Sequence, residues 1–318
     1  MTFPVPYLDG DTLQRWLTPE RALAAVQEYF RVQRREDVAV PDRIHLQVPG
    51  TRTVGLYMPA ATPEFIGVKL AHLMPHRTPN VEAEAFLYEA ATGKLLFWCD
   101  GKPLTALRTA AVSCAASLRL APDLRRVLVF GAGLQAEAHI RALASAYPGL
   151  THIRVAARSR DSFDRLRRNL GPGLDALATP SHDARRDLGQ ADAVVTTTPA
   201  PAPLFQWRDA PGPALVVAVG SATPYMHELP VEAFMACEVW LDSSRALSES
   251  GDCISAENAG WNPSDVRGDL FDLLRAQPQA RSRDGRAPAL FKSAGHAAQD
   301  LALLIALWRD MTSGTLSK

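Results

Sequence analysis

An internal glycine-rich turn constrains the fold of this chain more than any other feature. The apolar segment RRVLVF, which ends at Phe130, leads directly into GAGLQA, with Gly131, Gly133 and Ala136 at the three positions of a G-x-G-x-x-A fingerprint. The first glycine permits a tight turn, the second lets the backbone approach a pyrophosphate, and the alanine allows a helix to pack closely on the strand. The first turn of that helix offers free N–H groups and the positive end of a dipole. The pattern therefore predicts a dinucleotide site that includes Ala132; a glycine-rich turn without a ligand is the alternative.

The end of the next predicted strand indicates which dinucleotide is bound. A fold selective for NAD places Asp or Glu there, where it accepts a hydrogen bond from the ribose 2′-hydroxyl. Here the strand continues into Arg158, Ser159 and Arg160, and no acid occurs before Asp161. Arginine binds phosphate oxygens in a bidentate manner and keeps its charge. The segment therefore favours NADP(H) over NAD(H), and the alternative is that both arginines are solvated at the start of a helix.

From Arg125 onward, short apolar strands alternate with helices, which is typical of a parallel sheet with helices on both faces. The predicted strands are 127–130, 153–157, 193–197, 215–219 and 239–241, with a weak one near residue 177, and the predicted helices are 134–147, 160–170, 183–188 and 230–236. The fold class is therefore α/β, with a Rossmann-type, NADP(H)-binding domain over residues 123–291.

The first part of the chain has mixed periodicity and predicts an α+β domain. A helix should begin after Thr18, as N-cap, with Pro19 in its first position, and a second helix should run from about Thr105 to Leu120. Strands are expected at 44–48, 53–58, 65–70, 83–89 and 95–99. A final amphipathic helix, 294–309, is expected to return to this region. We therefore assign residues 1–122 and 292–318 to one domain.

Charge and cysteine content argue against several classes of function. Lys plus Arg and Asp plus Glu each number 34, so no bulk charge favours nucleic acid or an anionic membrane. The first residues lack the basic start and apolar core of a signal peptide, and the longest apolar run, 301–308, is shorter than the ~20 residues that span a bilayer.

The four cysteines form no CxxC pair, which favours reduced thiols in a cytoplasmic protein. No metal site is expected, because Pro75 interrupts the one His pair with helical spacing, His72 and His76.

Seven segments, spread along nearly the whole chain, have sequences that are typical of a known protein family. They are PDRIHL (41–46), GVKL (67–70), ATGKLL (91–96), LTALRTAAVS (104–113), VFGAGLQAEAHI (129–140), VGSATPYMHEL (219–229) and LFKSAGHAAQDL (290–301). Together they resemble the ornithine cyclodeaminase/mu-crystallin family. The resemblance implies that the N-terminal region and the last helix form a substrate-binding and dimerisation domain, and hence that the protein is a homodimer.

The resemblance also implies a set of site residues. It places three basic residues, Arg43, Lys69 and Arg108, at the family's substrate-site positions. The family's substrates are α-amino or α-imino acids, and a carboxylate needs charged, bidentate partners. Residues at the positions that line the cofactor in family members are Thr109, Gln135, Thr198, Val219 and Ser293.

One position departs from part of this family. Ornithine cyclodeaminases and the related alanine dehydrogenases carry an Asp in the loop after the fifth strand, whereas this chain has Ala222 there. Alanine can neither move a proton nor hold an ammonium, so the departure argues against deamination and amine oxidation by that route. The T-P-x-M-x-E sequence around it is similar to that of the ketimine reductases. Those enzymes reduce cyclic imino acids such as Δ1-pyrroline-2-carboxylate and Δ1-piperideine-2-carboxylate to L-proline and L-pipecolate.

The expected reaction is hydride transfer from NADPH to the C=N carbon of such an imino acid. Arg43 and Arg108 would clamp the carboxylate, and Lys69 would donate a proton or position a water, with His45 as a second candidate. Thr105 is expected to cap the helix that carries Arg108. A salt bridge from Arg108 to a local acid such as Asp100 is the alternative to a substrate clamp.

Three other functions stay open. One is another reaction of the same family: cyclodeamination, amino-acid dehydrogenation, or reductive condensation of an amine with a keto acid. The second is a non-catalytic, NADPH-dependent binder of a small ligand, as mu-crystallin is of thyroid hormone. The third is a flavoprotein, which is disfavoured because the fingerprint is internal instead of near the start of the chain.

Overall fold

The computed structural model describes residues 5–77, 80–276 and 287–314. The chain divides into two compact units, which are Met1–Arg108 with His296–Lys318, called the first unit, and Thr109–Gly295, called the Rossmann unit. The sequence-based assignment of a substrate role and a cofactor role to two domains with boundaries near residues 122 and 292 stays a prediction. None of the described helices combines the length and the hydropathy that a bilayer crossing requires.

The first unit contains a six-stranded sheet and its helices. Its elements are β1 (Tyr7–Leu8), α1 (Gly10–Trp16), α2 (Pro19–Val32), β2 (Ile44–Gln47), β3 (Val54–Ala61), β4 (Phe65–Leu73), β5 (Val81–Glu89), β6 (Leu95–Asp100), the start of α3 (Gly101–Leu120) and, from the end of the chain, α12 (Ala297–Thr312). The strand order is β1-β6-β5-β4-β3-β2. The β1–β6 pair is parallel and the other pairs are antiparallel. All five strands predicted here are present, and Thr18 caps α2 as predicted by accepting a hydrogen bond from the amide of Arg21.

Helix α3 begins four residues earlier than the sequence predicts. The side chain of Asp100 accepts a hydrogen bond from the amide of Lys102 at 2.9 Å, which satisfies one of the free donors at the start of the helix. The predicted N-cap, Thr105, is therefore wrong: it lies in the second turn and donates to the carbonyl of Gly101 at 2.7 Å. As a consequence, Arg108 lies two turns into the helix, away from the positive end of the dipole.

Helix α12 packs on β3, β4, β5 and α2, in agreement with the expected return of the last helix. Buried residues alternate along β4, so Gly67, Lys69 and Ala71 share one face. A Cβ on Gly67 would lie only 2.9 Å from Cδ1 of Leu301. That face therefore lies against α12, and the missing side chain of Gly67 lets the helix approach the sheet.

The Rossmann unit is built on a seven-stranded sheet. Its strands are β7 (Arg126–Phe130), β8 (His152–Ala156), β9 (Ala178–Pro180), β10 (Ala193–Thr196), β11 (Leu215–Ala218), β12 (Glu238–Leu241) and β13 (Ala289–Lys292), and its helices after α3 are α4 (Leu134–Ala146), α5 (Arg160–Leu170), α6 (Leu174–Leu177), α7 (Ala184–Leu188), α8 (Glu232–Ala236), α9 (Ala246–Glu249), α10 (Gly251–Asn258) and α11 (Leu270–Arg275). The order is β12-β13-β11-β10-β7-β8-β9, and every pair is parallel. The predicted α/β fold class is confirmed.

The core of this sheet follows from its register. Val194 lies opposite Leu128 and Val216, and Val216 lies opposite Leu290, so one apolar row crosses β7, β10, β11 and β13. All four side chains are fully buried. The chain order reverses between β7 and β10, which is the point where open α/β sheets bind ligands at the carboxyl ends of their strands.

Two features near residue 290 differ from the prediction. Strand β13 was not predicted, because its three apolar residues in a row, followed by Lys292, have no periodicity that distinguishes a strand from a buried helix. The last helix begins at Ala297 and not at residue 294. The amides of Ala294 and Gly295 donate to the carboxylate of Asp242, and Gly295 has a φ of 86°, so these residues cannot form a first helical turn.

The close contact at Gly67 predicts a specific loss of stability. In Gly67→Val, the added side chain would overlap Leu301 in a packed core, and overpacking of this kind typically costs about 1–3 kcal/mol of unfolding free energy. Urea unfolding measures the change. Gly149→Val is the control, since a Cβ at Gly149 meets nothing within 4 Å.

The double variant Gly67→Val/Leu301→Ala tests the mechanism of this loss. If Leu301 is the obstruction, the double variant should lose less unfolding free energy than the two single variants lose in sum. Strict additivity would show that α12 does not approach the sheet through this contact.

Candidate active site

Lys69 is buried in the first unit between the sheet and helix α12. It is 3% exposed and lies on the covered face of β4. Its Nζ lies 2.9 Å from Oδ1 and 2.8 Å from Oδ2 of Asp300 in α12, and it donates to Oγ1 of Thr105 in α3 at 3.2 Å. Three elements that are distant in sequence therefore meet at one ammonium group.

Arg108 contacts the same carboxylate from helix α3. Its Nε donates to Oδ1 of Asp300 at 3.1 Å, and its Nη1 donates to Oε1 of Gln299 at 2.7 Å. The alternative prediction, a salt bridge from Arg108 to Asp100, is wrong, because the side chain of Asp100 caps the start of α3. The acid that pairs with Arg108 lies 192 residues away in the chain.

Burial and neighbouring charges shift the protonation of this cluster. Burial lowers the pKa of Lys69 to about 8; Arg108 and Arg43 lower it as well, and Asp300 opposes them. Burial alone would raise the pKa of Asp300, but Lys69 and Arg108 lower it below its ordinary value. With Lys69 protonated, two cations share one carboxylate, so the cluster has a net positive charge and can attract an anion.

The other two residues predicted near the substrate lie at or beside the edge strand β2. Arg43 is half-buried just before this strand, and its charge acts on Lys69. His45, the alternative proton donor, lies within β2 and is exposed. The structure thus gathers Lys69 and Arg108 around Asp300 and gives Arg43 an electrostatic influence on them, whereas His45 takes no part in this ion cluster.

The turn between β7 and α4 has the geometry that a pyrophosphate requires. Gly131 has a φ of 114°, and a Cβ there would lie 2.5 Å from Oγ1 of Thr197, so the position needs glycine. Gly133 is the N-cap of α4 without any side-chain cap, and a Cβ there would meet nothing within 4 Å. The space at Gly133 and the open amides of α4 fit a phosphate group. Ala132 lies between these two glycines.

The remaining predicted cofactor residues are distributed over the Rossmann unit. Thr198, Val219 and Ser293 follow the carboxyl ends of β10, β11 and β13, which are adjacent in the sheet. Gln135 is in the first turn of α4, and its Oε1 is buried without a hydrogen-bond partner among the described residues. Thr109 is buried in α3. Which of these residues contact a cofactor stays a prediction.

The segment after β8 is exposed at the start of α5. Ser159 caps this helix by accepting from the amide of Ser162 at 3.2 Å. Arg160 forms a loose ion pair with Asp164 at 3.4 Å, with 78% of the arginine side chain exposed. Arg158 is exposed as well. Both guanidinium groups are therefore accessible to an anionic ligand beside the strand.

Sequence reasoning missed several buried polar and charged residues that organise both regions. Asp300 and Gln299 hold the cations of the first unit, and Glu228, Asp242 and Lys292 are buried around the strand ends of the Rossmann unit. Four of the five lie in segments that carry the family resemblance, which was their only signal, and Asp242 lies outside those segments. Their buried partners come from elements that are remote in the chain.

The chain matches the model of the Ornithine cyclodeaminase/mu-crystallin family over residues 14–315. It is 31% identical over 315 residues, 94% of each chain, to the Δ1-pyrroline-2-carboxylate/Δ1-piperideine-2-carboxylate reductase of Azospirillum brasilense. It is also 31% identical, over 80% of each chain, to the NAD(P)H-dependent anabolic L-arginine dehydrogenase of Pseudomonas aeruginosa.

Among solved structures, the Δ1-pyrroline-2-carboxylate reductase of Thermococcus litoralis, in complex with NADH and L-proline, has the same fold. The TM-score is 0.88 at 23% identity, over 98% of each chain. The fold, the glycine-rich turn and the match over nearly the whole length lead to one conclusion: this chain belongs to the ornithine cyclodeaminase/mu-crystallin family.

Proposed function

We propose that this protein reduces a cyclic α-imino acid, of the Δ1-pyrroline-2-carboxylate or Δ1-piperideine-2-carboxylate type, to L-proline or L-pipecolate with NADPH. One relative is named as an NAD(P)H-dependent dehydrogenase and the other as an imino-acid reductase, and the chain is an oxidoreductase of this kind. The observation that carries the proposal is the buried cluster in which Lys69 and Arg108 share the single carboxylate of Asp300. Its positive excess is the complement of a substrate carboxylate.

In this proposal the cluster binds the substrate through its carboxylate. Asp300 and Gln299 hold the guanidinium of Arg108 in place, so it offers a fixed, forked anchor for a carboxylate. Arg43 adds a second positive charge to the field at Lys69. Fixed positioning of this kind lowers the barrier of a bimolecular step.

Lys69 is the proposed source of the proton that the imine nitrogen receives. Its pKa of about 8 is close to neutrality, which suits a general acid. When bound, a reduced nicotinamide supplies the hydride for the imine carbon. One hydride on carbon and one proton from Nζ on nitrogen convert C=N into CH–NH. Lys69 then regains its proton from solvent.

Ala222 supports imine reduction over deamination. It lies in the loop after β11, and its amide donates to the carbonyl of Gly220 at 3.1 Å. A methyl group at this position cannot accept a proton from an amine. Amino-acid dehydrogenation is the second candidate function, because the relative from Pseudomonas aeruginosa is named for that reaction on L-arginine.

We also propose that the protein is a cytoplasmic homodimer. The edge strand β2 leaves one side of the first sheet open, and Ile44, Leu46 and Val48 expose an apolar stripe along it, at 57%, 48% and 37%. Exposed apolar stripes on an unpaired edge favour association with another chain. Cys99, Cys114, Cys237 and Cys253 are free thiols, which suits a reducing compartment.

The substrate prediction follows from Ala222 and the cation cluster. The protein should oxidise NADPH in the presence of five- or six-membered cyclic imino acids and should release no ammonia from L-ornithine. Absorbance of NADPH and an ammonia assay measure the two reactions. Ala222→Asp, which restores the acid, is the comparison variant and should release more ammonia than the unmodified protein.

Two results would contradict this assignment. Rapid ammonia release from L-ornithine by the unmodified protein would show that another residue replaces the missing acid. Reduction of NADP+ by L-arginine that is faster than imine reduction would favour the dehydrogenase.

The cofactor prediction rests on Arg158 and Arg160. NADPH should bind more tightly than NADH, and the variant Arg158→Ala/Arg160→Ala should narrow that difference. Each lost charge-assisted hydrogen bond contributes about 1.5–3 kcal/mol, or roughly 10- to 100-fold in Kd. Arg165→Ala/Arg168→Ala is the matched control, because it removes the same charge from exposed positions further along α5. Equal affinities for the two cofactors in the unmodified protein would refute the preference.

The pKa of Lys69 predicts the pH dependence of imine reduction. As pH rises above about 8, Lys69 loses the proton that it donates and the charge that attracts the substrate, so kcat/KM should decrease. In Lys69→Arg the charge persists at high pH. The decrease near pH 8 should therefore disappear, and kcat should already be low at pH 7. A decrease caused by titration of the substrate would persist unchanged in Lys69→Arg, and that result would exclude Lys69 as the proton donor.

A further inference from the structure

A fully buried carboxylate lies at the carboxyl edge of the parallel sheet in the Rossmann unit. Glu228 has 0% exposure and follows β11 by ten residues, in the loop that leads to α8. Its backbone is fixed on both sides: its carbonyl accepts from the amide of Leu204 at 2.9 Å, and its amide donates to Oδ1 of Asp252 at 2.7 Å. The backbone from which the side chain of Glu228 extends is therefore held in place.

This carboxylate accepts hydrogen bonds from two different loops. Oε1 accepts from the amide and from Oγ1 of Thr198, at 2.6 and 2.9 Å. Oε2 accepts from Oγ1 of Thr196 at 2.9 Å and from the amides of Gly220 and Ser221 at 2.6 and 3.2 Å. One side chain thus connects the end of β10 to the end of β11. Hydrogen bonds between ionised and neutral groups are stronger than those between two neutral groups.

The two loops approach each other closely at this point. A Cβ on Gly220 would lie 2.1 Å from the carbonyl oxygen of Thr198 and 2.6 Å from Oε1 of Glu228. The amide of Val219 donates to the carbonyl of Thr196 at 3.0 Å. The backbone of Thr198 and Gly220 therefore lies close to Glu228, and Val219 adjoins this contact as the neighbour of Gly220.

A buried lysine extends the network to the third adjacent strand. Lys292, at the end of β13, donates to the carbonyls of Ala218 and Ser221 at 3.3 and 3.0 Å and lies 3.4 Å from Oδ2 of Asp252. Burial raises the pKa of Glu228, and Lys292 acts in the opposite direction. Lys292 thus supplies the counter-charge for two buried acids.

We propose that Glu228 is a positioning residue that fixes the loops after β10 and β11 in the conformation that binds the nicotinamide cofactor. It acts through the backbone of Thr198, Gly220 and Ser221 and donates or removes no proton in the reaction. The inference rests on the proposed use of a nicotinamide cofactor and is independent of which imino acid is reduced. Thr198 and Val219, two residues predicted to line the cofactor, belong to the loops that it fixes.

The variant Glu228→Gln tests this role. The amide has the same shape, but its NH2 group faces N–H and O–H donors, so hydrogen bonds to one loop are lost. We expect the Kd of NADPH to rise at least tenfold. In the protein without cofactor, hydrogen exchange should accelerate in the peptides that contain residues 196–199 and 218–222. Both measurements are independent of imino-acid turnover.

Asp192→Asn is the matched control. Asp192 accepts from the amides of Arg125 and Arg126 at 2.9 and 2.8 Å, which lie at the amino end of β7, the opposite edge of the same sheet. This variant also loses carboxylate–amide bonds and some stability, but it should retain the NADPH affinity of the unmodified protein. If both variants lower the melting temperature and neither changes the Kd, Glu228 is structural only and the inference is wrong.

Thr196→Val provides a milder test if Glu228→Gln does not fold. It removes one of the five donors to Glu228 and leaves the carboxylate in place, so a smaller rise in Kd and a local increase in exchange are expected. Unchanged exchange at 196–199 and 218–222 in this variant would overturn the inference. Normal NADPH binding without turnover of any imino acid would instead refute the proposed substrate and leave the role of Glu228 intact.

Discussion

Asp300 is shared by two buried cations, and the organisation of the first unit depends on that contact. Burying an ion costs several kcal/mol, which is offset only when partners with good geometry are present. Lys69 comes from the middle of a sheet, Arg108 from helix α3 and Asp300 from the last helix. The three elements therefore have to be in place together. The absence of a side chain at Gly67 serves the same end, because it allows α12 to come close enough for Asp300 to reach Nζ of Lys69.

The Rossmann unit uses buried carboxylates in a different way. Loops at the ends of parallel strands have amides that no neighbouring strand can satisfy, and buried amides need partners. Glu228 accepts from the loops after β10 and β11, and Asp242 accepts from Oγ of Ser293 and from the amide of Gly295 after β13. Glu228 and Asp242 thus provide hydrogen-bond acceptors for loop groups that the strands and helices leave without one. The shapes of the loops that are expected to meet a cofactor follow from side chains behind them.

Local patterns in the sequence predicted local structure well. Thr18 caps its helix, Gly131 has the positive φ that its turn requires, and the alternation of strands and helices gives a parallel sheet. The N-cap of α3 was predicted wrongly. Thr105 is of a residue type that is typical of N-caps, but the side chain of Asp100 caps the helix, and Thr105 accepts a hydrogen bond from Lys69 instead. The partner of Arg108 could not be predicted at all, because no local pattern connects residues 192 positions apart.

The balance of charge distinguishes the two buried networks. In the Rossmann unit, Glu228 and Asp252 outnumber Lys292, and backbone amides neutralise the negative excess from several directions. In the first unit the excess is positive, and the neutral acceptors on these cations, Thr105 Oγ1 and Gln299 Oε1, stabilise it less than a charge would. A second acid in this place would balance the charge of the core, but in the proposed function it would occupy the position of the substrate carboxylate. The proposed binding role rests on this unmatched cation, which a structural ion pair such as Lys292–Asp252 does not have. Burial lowers the pKa of Lys69 to about 8, and the neighbouring charge of Arg108 acts in the same direction.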